Sequence, residues 1–114
     1  MSLLRQGDQI VVVDRKHFRD DNTLIFVGVV EDYADRAVRA RGLQFHVSPY
    51  EVAGSEKPSE ERVRLFSLDG DNATYLLPKT VEIARLQLRR SPKSLVLTDG
   101  SAAILDMSDW LLRG

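Results

Sequence analysis

The chain has 114 residues, of which 43% are apolar and 29% charged, a composition typical of one soluble globular domain. It contains no cysteine, so disulfides, thiolate metal sites and cysteine nucleophiles are excluded. A cysteine-free chain fits a cytoplasmic location. No secretory signal and no apolar run near the roughly 20 residues of a membrane helix are present, so we expect no membrane partner.

The net charge of −1 is unevenly distributed along the chain. Residues 1–35 carry a net charge of −3, residues 36–93 carry +4, and residues 94–114 carry −2. A basic middle between acidic ends permits a face that binds a polyanion. A mixed, solvated surface accounts for the same distribution.

Two apolar segments in the first third of the chain predict β-strands. Residues 9–13 (QIVVV) are short and rich in β-branched side chains. Residues 24–30 are apolar at odd and even positions, which is typical of a central strand covered on both faces. Gly28 in its middle predicts a tight bend or the close approach of another backbone. The polar residues at 20–22 and 31–35 predict turns.

The next strand changes the face on which its apolar residues lie. Before Gly42 they occupy even positions, with Arg39 and Arg41 on the other face, and after Gly42 they occupy odd positions. A slip of one residue moves every side chain of a strand to the opposite face. We therefore expect a β-bulge at Gly42 that bends the strand and leaves Gln44 and His46 facing outward.

Shorter elements follow. Residues 48–60 contain two prolines and a glycine and predict a loop. Residues 62–68 alternate, so Val63 and Leu65 are expected to point inward, and Arg62 and Arg64 outward. Asp69-Gly70-Asp71-Asn72 predicts a hairpin turn, after which residues 73–77 are expected to pair back.

Residues 81–90 are compatible with two structures. A helix capped by Thr80 would carry an apolar stripe. A strand beginning near Ile83 would instead form a hairpin with residues 95–97 across the turn signal at 91–94, and we favour the strand for that reason. Asp99-Gly100 predicts another hairpin turn, leading to residues 103–105. Residues 108–112 predict a last helical turn.

These elements amount to about eight strands, spaced 8–12 residues apart with turn residues between them. We expect an all-β fold, a small bent-strand barrel or sandwich that is mostly antiparallel. Residues 1–114 are expected to form a single domain. Within it, residues 8–77 form the barrel-like part and residues 78–114 a hairpin extension.

Residues 8–77 resemble the SH3-like small barrels, and among them the Sm-like group. The resemblance rests on the strand DQIVVV, on FVGVVEDY with its central glycine, on the bent strand RAVRARGLQF, and on RVRLFSL followed by a tight turn and ATYLLP. Gly28-Val29-Val30 matches the G-x-V pattern of one Sm-like strand. By analogy, the resemblance implies a role in binding or assembly, because Sm-like proteins form rings by edge-strand pairing.

Arginines supply the candidate binding residues. Arg39 and Arg41 share one strand face, as do Arg62 and Arg64, and arginines two positions apart are separated by about 7 Å, close to the phosphate spacing of a nucleic-acid strand. The candidate nucleic-acid-binding set is Arg36, Arg39, Arg41, His46, Arg62 and Arg64, with Tyr33, Tyr50 and Phe66 as further stacking surfaces. The alternative is a solvated face in which the arginines pair across strands with Glu31, Glu60 or Glu61.

Other chemistries find little support in the sequence. His17 and His46 are the only histidines, and no spacing joins them to a third metal ligand. Residues 69–72 lack the later glutamate of a calcium loop. No G-x-S-x-G elbow, phosphate-binding loop or dinucleotide fingerprint is present. We therefore predict no catalytic residue, no metal and no cofactor.

Three functions remain as hypotheses. The first is a non-catalytic binding or assembly module that works as a homo-oligomer, since a sheet of short strands has edges to protect. The second is single-stranded nucleic-acid binding, to RNA or DNA, through the arginine-rich strand face. The third is a small-ligand or metal-dependent enzyme that uses the mouth of the barrel.

Overall fold

The computed structural model describes residues 4–14, 23–34, 36–47, 54–56, 60–67, 72–91 and 94–107, which form nine strands and one 3-10 turn. The predicted all-β fold is confirmed. No helix in these ranges is long and apolar enough to cross a membrane. The strands are β1 (Gln9–Asp14), β2 (Thr23–Ala34), β3 (Ala37–Val47), β4 (Gly54–Glu56), β5 (Arg62–Ser67), β6 (Asn72–Leu77), β7 (Gln87–Ser91), β8 (Ser94–Thr98) and β9 (Ala103–Asp106), and the 3-10 turn is Ile83–Arg85.

The strands form two antiparallel sheets that pack face to face. The first sheet has the order β5-β3-β2-β1-β6, and the second has the order β4-β7-β8-β9. The first sheet is built from strands within residues 9–77, and the second from strands within residues 87–106 together with β4. This strand lies in the segment predicted to be a loop, and that prediction is wrong there because Gly54–Glu56 pairs with β7.

Two apolar clusters hold the fold together, one on each face of the first sheet. The odd-numbered residues of β1, β2 and the end of β3 pack against the second sheet. The even-numbered residues form a separate cluster on the opposite face. Because both faces of β2 are covered, residues 24–30 are apolar at odd and at even positions. The first cluster contains Val11, Val13, Ile25, Val27, Phe45, Val47, Leu77, Leu86, Leu88, Leu95, Leu97 and Met107, and the second contains Ile10, Val12, Phe26, Val30, Val38, Ala40 and Phe66.

The first sheet is strongly curled toward its even face. Across the sheet, Arg64 of β5 is aligned with Ala40 of β3, Val30 of β2 and Asp8, just before β1. Its Nη2 nevertheless donates to the carboxylate of Asp14, six residues further along the chain, at 3.1 Å. In a flat sheet Arg64 and Asp14 would be about 14 Å apart across the strands and about 20 Å apart along them. One arginine and one aspartate side chain cannot span that diagonal. The even face is therefore concave.

A glycine pair lets β2 and β3 approach closely at the centre of this sheet. A Cβ on Gly28 would lie 2.6 Å from the carbonyl oxygen of Arg41 and 2.6 Å from the ring of Phe26. A Cβ on Gly42 would overlap the carbonyl of Val27 and lie 2.5 Å from the Cα of Gly28. The close backbone approach predicted at Gly28 is confirmed.

The bulge predicted at Gly42 is wrong. Gly42 lies opposite Gly28 in β2 and opposite Arg62 in β5, with unbroken register on both sides. The irregularity lies in β2 instead, between Val30 and Asp32. The apolar face of β3 changes because the second sheet covers the odd face of its last third only, while the concave cluster buries the even face of its first half. The predicted turn at 31–35 is also too early, since β2 continues to residue 34.

The predicted hairpin between β5 and β6 is wrong. β5 pairs with β3 and β6 pairs with β1, at opposite edges of the first sheet. Pairing with β1 places Leu77 in the cluster between the sheets, where it is buried. The residues of the predicted turn itself lie largely outside the described ranges, as do the predicted turn at 20–22 and the predicted helical turn at 108–112.

The hairpins of the second sheet are confirmed. Ser91 and Ser94 face each other across the β7–β8 turn, and their hydroxyls are hydrogen-bonded. The β8–β9 turn contains Gly100 at φ +97°, a left-handed conformation that favours glycine. The strand predicted from about Ile83 begins later, at Gln87, because residues 83–85 form the 3-10 turn.

Candidate functional site

The candidate arginines lie on two faces of the first sheet. Residues directly opposite each other in neighbouring strands share a face. Arg64 lies opposite Ala40, so β5 presents its arginines on the concave face, whereas the arginines of β3 lie on the odd face. A single continuous arginine face is therefore not formed. Arg39 and Arg41 are exposed on the odd face, His46, Arg62 and Arg64 lie on the even face, and Arg36 is exposed in the turn before β3.

Arg41 is held by two carboxylates at the surface. Its Nε donates to Glu31 at 3.0 Å and its Nη1 donates to Glu61 at 3.3 Å. These hydrogen bonds, the one to Glu31 first, raise the pKa of Arg41 above its usual range. At this position the structure matches the alternative of cross-strand ion pairs on a solvated face, and the positive charge is balanced locally.

Arg64 is half-buried and packed rather than directed at solvent, which corrects the expectation that it points outward. Its guanidinium lies 4.7 Å from the ring centroid of Phe66 and 6.0 Å from that of Phe26. Nη1 donates to Oε1 of Gln44 at 2.8 Å, and Nη2 donates to Asp14 at 3.1 Å. A guanidinium with a ring beneath it and two such acceptors is fixed in place.

The amide of Gln44 extends this network to His46. Gln44 was expected to face outward, but it is buried at 6% exposure, while His46 is exposed. A guanidinium can only donate, so Oε1 of Gln44 must face Arg64, and Nε2 of Gln44 must donate to Nε2 of His46 at 3.2 Å. This hydrogen bond requires the neutral tautomer of His46 that has its proton on Nδ1.

The edge strand β5 exposes its apolar residues, which reverses the predicted orientation. Leu65 is 73% exposed and Val63 is 42% exposed, whereas Phe66 is buried. The alternation of β5 predicts Val63 and Leu65 in the interior, so this exposed surface does not follow from the sequence pattern. The cue that favours the observed orientation is Phe66, the largest apolar side chain of the strand, which lies on the even face.

A shallow groove lies beside Leu65 at the end of the sheet. It encloses about 150 Å³ between the end of β2, the start of β3 and β5. Its lining includes an exposed tyrosine and an exposed arginine, Tyr33 and Arg39. Its lining residues are Asp32, Tyr33, Ala34, Ala37, Val38, Arg39 and Leu65.

A second groove, of about 260 Å³, lies on the second sheet near the β8–β9 turn and includes Arg89. The polar groups of this turn bond one another. The hydroxyl of Thr98 donates to the carbonyl of Ala102, and the carboxylate of Asp99 accepts from the backbone N–H groups of Ser101 and Ala102 and from the Ser101 hydroxyl. These bonds, the backbone bond from Ser101 first, lower the pKa of Asp99. The turn is thus internally satisfied.

No three His, Cys, Asp or Glu side chains converge in the described part of the chain. His17, a candidate metal ligand, and Tyr50, a candidate stacking surface, lie outside it. Searches of protein-family models, of curated proteins and of solved structures found no match. The resemblance to Sm-like barrels therefore stays a prediction.

Proposed function

We propose that the protein is a non-catalytic assembly module that self-associates through the edge strand β5. One observation carries this proposal. β5 pairs with β3 on one side, no described strand pairs with its other side, and it exposes Val63 and Leu65. The free backbone groups of an edge strand are a template for a strand from another chain, and exposed apolar side chains strengthen that pairing.

The form of β5 supports pairing better than the edge strands of the second sheet do. It has six residues without proline or glycine, and its register with β3 is continuous. The edges of the second sheet are shorter, with three residues in β4 and four in β9. The other edge of the first sheet, β6, is also six residues long and exposes Leu76 at 59%, which makes it the natural control.

Light scattering after size exclusion, over a wide concentration series, tests the proposal. The mass of the wild-type protein should rise from monomer toward oligomer with concentration. Leu65→Lys should weaken association about 30-fold, since each of two copies loses about 1 kcal/mol of apolar burial. The matched control Leu76→Lys should associate like the wild type. A wild-type protein that stays monomeric throughout contradicts the proposal.

Single-stranded nucleic-acid binding is a second candidate, favoured by the groove that Arg39 and the exposed Tyr33 both line. A base stacked on an aromatic side chain beside a cation is a common mode of single-strand recognition. This site offers few cations for contacts with phosphates. The charge of Arg41 is balanced by its carboxylate partners, and Arg64 is held in the sheet by Asp14.

A titration with short RNA and DNA oligomers tests this second candidate. Few phosphate contacts predict a shallow salt dependence, with log K falling by about 0.7 per contact for each tenfold rise in salt. Arg39→Ala should remove the signal, whereas Arg62→Ala on the concave face should not. Undetectable binding at low salt eliminates the candidate. The third hypothesis, a small-ligand or metal-dependent enzyme at a barrel mouth, stays a prediction; among the described strands β5 and β6 do not pair, so the described first sheet is open.

A further inference from the structure

We propose that β5 pairs antiparallel with β5 of a second copy, around a two-fold axis at Arg64, so that Val63 of each copy faces Leu65 of the other. This register rests on the proposed function of assembly through β5. A two-fold contact uses the same surface of both copies, so it leaves no further β5 edge to extend. The assembly is therefore a closed dimer in which the two first sheets form one continuous ten-stranded sheet.

The exposed side chains select the register. In a two-fold antiparallel pair, facing residues share a sheet face and lie at equal distances from the axis. An axis at Val63 would place Leu65 opposite Glu61. An axis at Leu65 would place Val63 opposite Ser67. The axis at Arg64 pairs each exposed apolar side chain of β5 with an apolar side chain of the second copy.

The charge at the axis is already balanced within each chain. Two Arg64 residues facing each other would ordinarily repel, because like charges directly opposite destabilise a strand pair. Here each guanidinium is drawn over Phe66 to the carboxylate of Asp14 in its own chain and donates to Gln44. The side chain is thereby kept on the concave face with its counter-ion.

A second copy is the occupant favoured over a foreign strand, because β5 is self-complementary. The same two residues supply both halves of the contact, and they lie on one face of the strand. The groove beside Leu65 opens at the same end of the sheet. In the proposed register Val63 of the second copy lies against Leu65, at the rim of this groove.

Cysteine cross-linking tests the register, and the chain offers a cysteine-free background. Residues facing each other across antiparallel strands have Cα atoms about 4.5–5.5 Å apart, within the range of a disulfide. Under mild oxidation, V63C mixed with L65C should give a disulfide-linked dimer, while neither variant should cross-link alone. Cross-linking of L65C alone, of V63C alone, or of L65C with L76C would each mean a different register or edge and overturn the proposal.

Light scattering on the wild-type protein separates this proposal from the function on which it rests. A monomeric wild type refutes both. An associating wild type in which V63C and L65C do not cross-link refutes the register alone. If either cysteine variant fails to fold, V63K mixed with L65E should form a heterodimer more readily than either variant forms a homodimer, and equal or weaker heterodimer formation refutes the register.

Discussion

Replacing Arg64 by methionine should destabilise the monomer, because Arg64 connects β5 to β1 across the concave face. Methionine keeps a long apolar side chain over Phe66 and removes the guanidinium. The substitution takes away the donor to the buried amide oxygen of Gln44 and the ion pair with Asp14. It therefore tests the curl of the first sheet as well as the stability of the network.

The magnitude follows from the environment of each contact. Removing the Arg64 donor from the buried amide oxygen of Gln44 costs about 1–3 kcal/mol. The cation over the aromatic ring contributes about 0.5–1 kcal/mol. The Arg64 and Asp14 side chains are 29% and 27% exposed, so solvent screening limits their ion pair to about 1 kcal/mol. The methionine side chain restores part of the packing, which leaves a net loss of about 2 kcal/mol and a fall in Tm of about 8 °C.

A double-mutant cycle with Asp14→Ala, followed by urea unfolding at a concentration where the protein is monomeric, measures the contact itself. The two substitutions should be coupled by about 1 kcal/mol. Arg62→Met, on the same strand and the same face but exposed, should change the free energy of unfolding by less than about 0.5 kcal/mol. A coupling below about 0.3 kcal/mol would mean that Arg64 and Asp14 are not in contact, and the curled sheet would be refuted.

Three further predictions concern single residues. Gly42→Ala should cost about 2–3 kcal/mol of unfolding free energy in urea, since its Cβ would overlap the backbone of β2, and a loss below about 1 kcal/mol would contradict the close approach. Nitrogen NMR should find neutral His46 protonated at Nδ1, with the preference lost in Gln44→Ala, and an Nε2-protonated ring would refute the assigned hydrogen bond. Asp99 has a lowered pKa, so its stabilising effect is present above about pH 4 and lost as pH falls below it. The gap in Tm between the wild type and Asp99→Asn should therefore narrow on acidification, and a constant gap would contradict this assignment.

The strands and the local hairpins were predictable from the sequence because their signals are local. The apolar run at residues 24–30 reports burial on both faces directly, and β2 is indeed a central strand. The β7–β8 and β8–β9 turns connect strands that are adjacent in both sequence and space. In each case the residues that determine the structure lie within one short window.

The pairing partner of β6 and the orientation of β5 depend on contacts between distant parts of the chain. A turn signal at residues 69–72 indicates a reversal of direction, but it does not distinguish pairing with β5 from pairing with β1. Alternation in β5 separates Val63 and Leu65 from Arg64 and Phe66, but it does not tell which set faces the core. That choice follows from where the second sheet ends on β3, and within β5 only the large side chain of Phe66 favours the observed orientation.

The same limit applies to the candidate site. Spacing alone correctly placed Arg39 and Arg41 on one exposed face, yet it could not reveal that Glu31 and Glu61 neutralise Arg41. Nor could it reveal that Asp14, fifty positions from Arg64, draws that arginine into the sheet. The exposed apolar edge was missed because apolar residues on an alternating strand are ordinarily assigned to the core.

Hydrogen exchange of the backbone amides of β5, compared at low and high protein concentration, tests most directly whether this strand is the assembly edge. If β5 is the assembly edge, amides within residues 62–67 become more protected as concentration rises, while those of the opposite edge strand, β6, stay unchanged. Protection in β5 that is the same at every concentration, in a protein whose mass nevertheless increases, would contradict it.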